Sequence, residues 1–287
     1  MGAANVIPGV SGGTIALVTG IYIEFINSLK CLDLKAVKLL FSFRWKLLAE
    51  HINFKFLLSI SIGVAASLFS IAKLFEYLFA EHPILIWSFF FGLILASVYF
   101  VGKTVTRWNV VNILWLILGV VIAVGISMFK PASANDNLLY VGLCGIIGIS
   151  GMMLPGLSGS FILILMGNYE LLMVESISNL NWVLLVVFAL GSIIGMVSFS
   201  HVLSWILKRY FNATIALLTG FVFGSLNIIW PWKEVVETYV KPSGEIVPLK
   251  YEKILPPEFD AYTLLAIGLI LFGIFSIWLI EYLAKEE

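Results

Sequence analysis

The sequence predicts an all-α integral membrane protein with two inverted-topology repeats. Each repeat is a broken or re-entrant helical hairpin followed by three transmembrane helices. Three observations carry this expectation. Hydrophobic residues make up 61% of the chain and charged residues 12%, with a mean hydropathy of +1.04, which excludes a soluble globule. One unusual stretch occurs twice, as IPGVSGGTIALVTGIY from Ile7 to Tyr22 and as LPGLSGSFILILMGNY from Leu154 to Tyr169. Finally, the basic residues gather on one side of the spans that hydropathy defines.

In chain order, residues 2–29 hold the first break and a helix from about Thr14 to Leu29. Lys30 to Lys55 is polar and basic, the pattern of an amphipathic helix on the membrane surface. Spans follow at about 56–80, 84–102 and 110–129, each near the roughly 20 apolar residues needed to cross a bilayer. A polar loop, Lys130 to Asn137, separates repeat 1–130 from repeat 138–287. The second repeat opens with an apolar arm, 138–153, then the second break, a helix over 161–175, and spans at about 182–207, 212–230 and 261–281. The outer loop 231–260, rich in Pro, Glu and Lys, is expected in water. No basic region precedes an apolar start, so no cleavable signal peptide is expected. The first half lacks a counterpart of the arm 138–150, so the chain is expected to begin late.

Within the repeated stretch, Pro8/Pro155, Gly9/Gly156, Ser11/Ser158, Gly12/Gly159, Ile15/Ile162, Gly20/Gly167 and Tyr22/Tyr169 are identical at a constant offset of 147. Beyond it, Gly63/Gly191, Ser70/Ser198, Gly92/Gly220 and Ser97/Ser225 align at an offset of 128. A hairpin plus three spans makes an odd number of crossings whether or not the hairpin passes through. The second copy must then insert upside down. Charge agrees. Lys30, Lys35, Lys38, Arg44, Lys46 and Lys55 follow the first motif, while the equivalent loop 170–181 has Glu170, Glu175 and no base. Lysine and arginine mark cytoplasmic loops. Lys103, Arg107, Lys208, Arg209 and Lys285 fall on the same inner side, against Lys130, Lys233, Lys241, Lys250 and Lys253 outside.

A Pro-Gly-x-Ser-Gly break inside apolar sequence frees backbone groups that hydrocarbon cannot satisfy, and it persists only where protein buries it or it lines a cavity. Paired breaks in corresponding positions point to a transporter's binding site. A helix starting inside the membrane offers free N–H groups and a positive dipole end, an anion site. Gly12, Gly13 and Thr14 supply donors in one copy, and Gly159, Ser160 and Phe161 in the other; Ser11, Thr14, Ser158 and Ser160 add hydroxyls. The plainer alternative is that Pro and Gly only kink helices and small residues ease packing.

These paired motifs with their flanking spans resemble the bacterial polyprenyl-phosphate (undecaprenyl-phosphate) translocases, over essentially the whole chain. The resemblance implies return of the undecaprenyl-phosphate carrier from the outer to the inner leaflet of the bacterial cell membrane, for reuse in envelope polymer synthesis. Two positions depart from strict repetition: Ser160 stands against Gly13, and the acids fall differently, in Tyr22-Ile23-Glu24 against Tyr169-Glu170.

Ionisable residues inside spans are functional candidates. Lys73 and Glu76 are one turn apart, and His201 matches Lys73 at the offset of 128. Lys73 could balance a lipid phosphate and His201 could titrate near neutrality; equally, Lys73 could snorkel beside Glu76 and His201 bond between helices. Glu24 and Glu170 lie roughly 15 Å from their helix starts and read as interfacial, with a coupling role left open. Trp45, Trp108, Trp182, Trp230 and Trp232 read as interfacial anchors. No cofactor, metal or nucleic-acid partner is expected; H+ or Na+ coupling and a homo-oligomer stay open. Three function classes compete: a lipid-phosphate translocase, a transporter of a small soluble anion using the same helix starts, and a lipid-phosphate enzyme. The three histidines are scattered and no carboxylate pair accompanies the motifs, which disfavours the enzyme.

Overall fold

A computed structural model of the chain describes residues 1–2, 11–129, 131–240, 246–256 and 258–283, with some side chains inside these segments, including those at 73 and 76, left out. It is helical almost throughout. The first motif forms two short helices, α1 (Gly12–Val18) and α2 (Tyr22–Lys30). The sequence suggested one helix here. Gly20, at φ 75°, ends it, because a left-handed residue reverses the chain cheaply only when it lacks a Cβ.

The basic segment becomes two surface helices, α3 (Leu34–Phe41) and α4 (Trp45–His51). Asp33 caps α3 by accepting from the Lys35 and Ala36 amides, and its carboxylate meets His51 Nε2 at 3.1 Å. Leu34, Phe41, Phe43 and Trp45 stay exposed, as residues facing lipid rather than protein would be. Helix α5 (Phe54–Glu81) then departs, its first part at 72° to α4.

Next come α6 (Pro83–Lys103), α7 (Val110–Ser127), α8 (Leu138–Met153) and α9 (Gly159–Leu165). The helix expected over 161–175 stops at Leu165; Gly167, at φ 74°, turns the chain, and a π-helical turn, Leu171–Glu175, and α10 (Ser176–Ser178) follow. The chain closes with α11 (Trp182–Arg209), α12 (Phe211–Ser225), a β-hairpin and α13 (Ala261–Leu283). Among the described residues, α6, α7, α11 and α13 are each long and apolar enough to cross a membrane.

Loop 231–260 carries secondary structure that the sequence reading did not anticipate. β1 (Lys233–Val240) pairs antiparallel with β2 (Ile246–Lys253). Trp232 is buried at its base and the Trp230 indole donates to the Ile254 carbonyl. These two tryptophans therefore hold the hairpin instead of anchoring freely in an interface.

Three helix pairs make the frame, and each crosses at glycines. A Cβ added to Gly92 of α6 would lie 2.0 Å from the Ile270 carbonyl oxygen of α13, and one on Gly273 would lie 2.3 Å from that of Phe89. Between α7 and α12 the matching values are 2.2 Å, from Gly119 to Leu217 and from Gly220 to Leu116. Between α8 and α11 they are 2.4 Å at Gly145 and 2.2 Å at Gly191. Lipid gives helices no hydrophobic reason to associate, so backbone approach at small residues has to supply the contact. The main partner of α6 is thus α13 and not α7, which follows it in the chain, while α12 takes α7. The α1–α2 hairpin sits inside this frame, where Ala16, Leu17, Tyr22 and Ile26 join a core with Leu203, Ile215, Leu218 and Phe221.

Candidate functional site

From Ser11 to Gly20 and from Ser158 to Gly167 the two motif copies fold alike. Ser11 (φ −110°, ψ 136°) and Ser158 (φ −102°, ψ 131°) are both extended residues before helices of 7 residues, Gly12–Val18 and Gly159–Leu165. Each helix ends at a glycine of matching φ, 75° at Gly20 and 74° at Gly167. Pro8 and Gly9, the first copy's helix-break residues, lie outside the described residues. In the second copy, Pro155 and Gly156 follow the end of α8, and Gly156 takes φ 81° with its α-carbon pressed on the Phe221–Val222 peptide of α12.

The copies touch. The Ser11 hydroxyl donates to the Met152 carbonyl at 3.2 Å, with that of Leu154 at 3.4 Å, and accepts from the Gly13 amide at 3.1 Å. The Gly156 amide donates to the Thr14 hydroxyl at 3.0 Å. The Tyr22 hydroxyl, fully buried, donates to the Met153 carbonyl at 2.9 Å. Hydroxyls of the first copy therefore satisfy the backbone that the second break frees. In the second copy, Ser158 instead bonds Ser160 at 2.8 Å, a partner that exists because Ser160 replaces the glycine found at position 13. Tyr169, the counterpart of Tyr22, is 37% exposed.

Among the described side chains, the place where the copies meet is buried and uncharged. Ser11, Thr14 and Ser158 are 2%, 0% and 8% exposed. The polar groups there are hydroxyls and peptide units, so any charge selectivity has to come from peptide dipoles aligned by α1 and α9. Gly13 and Gly159 keep the backbone close: a Cβ would come within 3.1 Å of the Met153 oxygen at the first and 2.7 Å of the Gly148 oxygen at the second.

Of the remaining candidates, Glu24, His201 and Glu170 are not gathered here. Glu24 accepts from the Asn53 amide at 2.8 Å, tying α2 to the start of α5. His201 is exposed, its Nδ1 2.8 Å from the Val197 carbonyl of its own helix, and among the described residues it makes no bond between helices. Glu170 is exposed at the start of the π-helical turn. The side chains of Lys73 and Glu76 lie outside the described residues.

Sequence reading passed over Tyr22 and Asn168. Identity of Tyr22 with Tyr169 in the repeat marked the first without revealing its bond. Asn168 is buried and holds residue 135 through two bonds of 2.8 Å, fastening the connection between the motif-bearing segments to the Gly167 turn. Nothing in the repeat pointed to it, because Ile21 stands in the equivalent position.

Comparison with known proteins gives a consistent result. The model of the undecaprenyl phosphate translocase-like family (VCA0040-like) matches residues 1–247. A polyprenyl-phosphate transporter of Vibrio cholerae is 40% identical over 297 residues, covering 100% of this chain and 94% of that protein. A polyprenyl-phosphate transporter of Staphylococcus aureus is 31% identical over 249 residues, covering 80% of this chain and 83% of the relative. No solved structure matches. These names are those of transporters and not of enzymes. The doubled motif, the helical membrane frame and these matches together place the chain in the undecaprenyl phosphate translocase-like family.

Proposed function

We propose that this protein moves polyprenyl phosphate, undecaprenyl phosphate in particular, from the outer to the inner leaflet of the bacterial cell membrane, so that the carrier can be used again. The phosphate sits between the two motifs, against the starts of α1 and α9, with Ser11, Gly12, Gly13, Thr14, Ser158, Gly159 and Ser160 around it. The observation that carries this reading is the direct bonding of the copies, the Gly156 amide to Thr14 and the Ser11 hydroxyl to the Leu154 carbonyl. An anion arriving there would take over donors that the motifs now share with each other, notably the Gly156 amide.

The halves are read as inverted repeats, 1–130 and 138–287. Support comes from paired contacts. At the offsets of 147 and 128, Gly2 matches Ile149 and Ser67 matches Gly195; Gly2 lies against Ser67, and their equivalents Ile149 and Gly195 lie against each other. Likewise α6 and α12, equivalent in the repeat, each take the other half's last span as main partner. A site on such a pseudo-two-fold axis serves both membrane faces in turn.

Inward passage of an anion against a negative-inside potential costs about 2.3 kcal/mol per charge per 100 mV. A phosphate monoester carries roughly −1.5 to −2, so the opposition is about 3–5 kcal/mol. Coupling to a cation, H+ before Na+, offsets part of it, with His201, then Glu24 and Glu170, as residues to test.

The experiment is inward translocation of labelled polyprenyl phosphate in proteoliposomes, with pH gradient and potential imposed separately. Gly159→Leu and Gly12→Leu should abolish it, and Ser11→Ala or Ser158→Ala should weaken binding by about 0.5–3 kcal/mol. Normal lipid binding by the Gly→Leu variants would make the motif structural only. Uptake of inorganic phosphate without lipid movement would favour the soluble-anion reading. Rates blind to the pH gradient would remove the proton and bring Na+ forward.

A further inference from the structure

We propose a second binding site, for the phosphate head of a polyprenyl lipid, in the groove between α2 and α11; it rests on the reading of polyprenyl phosphate as cargo. Ile23, Ile26, Asn27, Ser204, Leu207 and Lys208 line this groove, whose volume is about 110 Å³. The groove surface is mostly apolar, and Asn27 and Lys208 are the lining residues that bring donors to it. The Ser204 hydroxyl donates to Asn27 Oδ1 at 2.9 Å, which turns the Asn27 NH2 group away from Ser204. Among the described residues that NH2 group has no acceptor, and the exposed Lys208 ammonium has no anionic partner. The adjacent acid on α2, Glu24, is engaged by Asn53. The neighbouring base, Arg209, turns its Nε to the Tyr210 hydroxyl.

An ammonium and an amide NH2 on residues that line one groove with Ile23, Ile26 and Leu207 suit a monophosphate on a hydrocarbon chain. A volume near 110 Å³ falls below the roughly 300–1,000 Å³ of sites for drug-sized ligands. That size suits a bare phosphate better than a sugar or nucleotide head group. Ser204 and Lys208 are four residues apart and share a helix face. Asn27 lies five residues beyond Tyr22, about 7.5 Å along α2 from the residue that bonds Met153, just before the second motif.

The site is one-sided. At the offset of 128, the first-half positions matching Ser204 and Lys208 hold Glu76 and Ala80, which offer an anion nothing. Lys208 falls with Arg209, Lys103 and Arg107 on the side expected to be cytoplasmic. The groove is therefore an inner-leaflet station, which takes the phosphate as it leaves the paired motifs.

The test places a photoreactive benzoylphenylalanine at Ile23 of the full chain and offers radiolabelled geranylgeranyl phosphate. Labelling is expected in the wild-type background and in Gly159→Leu. It should fall about tenfold in Lys208→Gln and be competed by geranylgeranyl phosphate but not by geranylgeraniol. Lys208 is exposed, so its variant should keep the wild-type size-exclusion profile. Labelling that is absent, or indifferent to Lys208→Gln, while translocation proceeds would overturn the groove alone. Competition by inorganic phosphate equal to that by the lipid would make it a free-anion site and overturn the lipid assignment. Persistent labelling without any translocation by the unmodified protein would instead sink the transport reading and leave the groove standing.

Discussion

The Thr14 hydroxyl accepts a hydrogen bond of 3.0 Å from the Gly156 amide, joining two copies of one motif across 142 positions of chain. Both groups are buried, and the helix break at Pro155 leaves that amide in need of an acceptor. Thr14→Val keeps the shape and removes the oxygen, so it should destabilise the protein by about 1–3 kcal/mol. Thr14→Ser keeps the oxygen and should lose less. Thermal unfolding midpoints in detergent, compared across the three proteins, decide the matter; equal midpoints would mean that the bond contributes nothing.

Glycine crossings separate two kinds of glycine. A Cβ at Gly220 would stand 2.2 Å from the Leu116 oxygen and one at Gly119 would stand 2.2 Å from that of Leu217, whereas Gly125 of α7 and Gly268 of α13 have open space around them. Gly220→Val should force α7 and α12 apart and cost at least about 1–3 kcal/mol. Gly125→Ala and Gly268→Ala should be tolerated, or stabilise slightly through helix propensity, by up to about 1 kcal/mol. Retained protein after heating, assayed by size exclusion, gives the ranking.

Lys233 is half-buried under the β-hairpin, its ammonium 4.6 Å above the Trp87 ring. Burial, and then the charge of Lys253, push its pKa down from 10.5 to about 8. Between those two values the unfolded chain holds a proton that the folded chain lacks. Stability should therefore rise with pH across the window from about 8 to 10.5. Lys233→Met should flatten the rise and, below the window, be the more stable protein. A flat profile in the parent protein would contradict the shift.

Topology can be checked by single cysteines at Phe43 and Leu180 in a Cys31, Cys144-free background. Both positions are well exposed. An impermeant maleimide should label them from opposite sides of the membrane, position 43 from the cytoplasm. Labelling from one side would break the inverted-repeat reading.

Much of this arrangement is visible in the amino-acid order because the repeat is. Ser11 and Ser158, and Gly20 and Gly167, were equivalent by spacing before their matching backbone angles were known. The limits are equally physical. Gly20 lies within a continuous apolar run, where hydropathy does not register a left-handed turn. Charges and prolines in 231–260 mask the strand character of Val235 and of its β2 partner Tyr251. Hydropathy also marks spans without naming neighbours, so the meeting of Gly92 with Gly273 was invisible. The Asn27–Ser204 contact was hidden likewise, since it joins a broken hairpin to a span from the other half.

The partnering of α6 with α13 has a consequence for biogenesis. Gly92 waits for Gly273, so α6 enters the bilayer long before its glycine face can be covered. Until Ala261–Leu283 has been made, that face has to be held by lipid, by the insertion machinery or by a passing helix. A chain that stops before Ala261 would leave the face permanently open. Such a product should be handled by quality control as an orphan, even though all the motif residues are already in place.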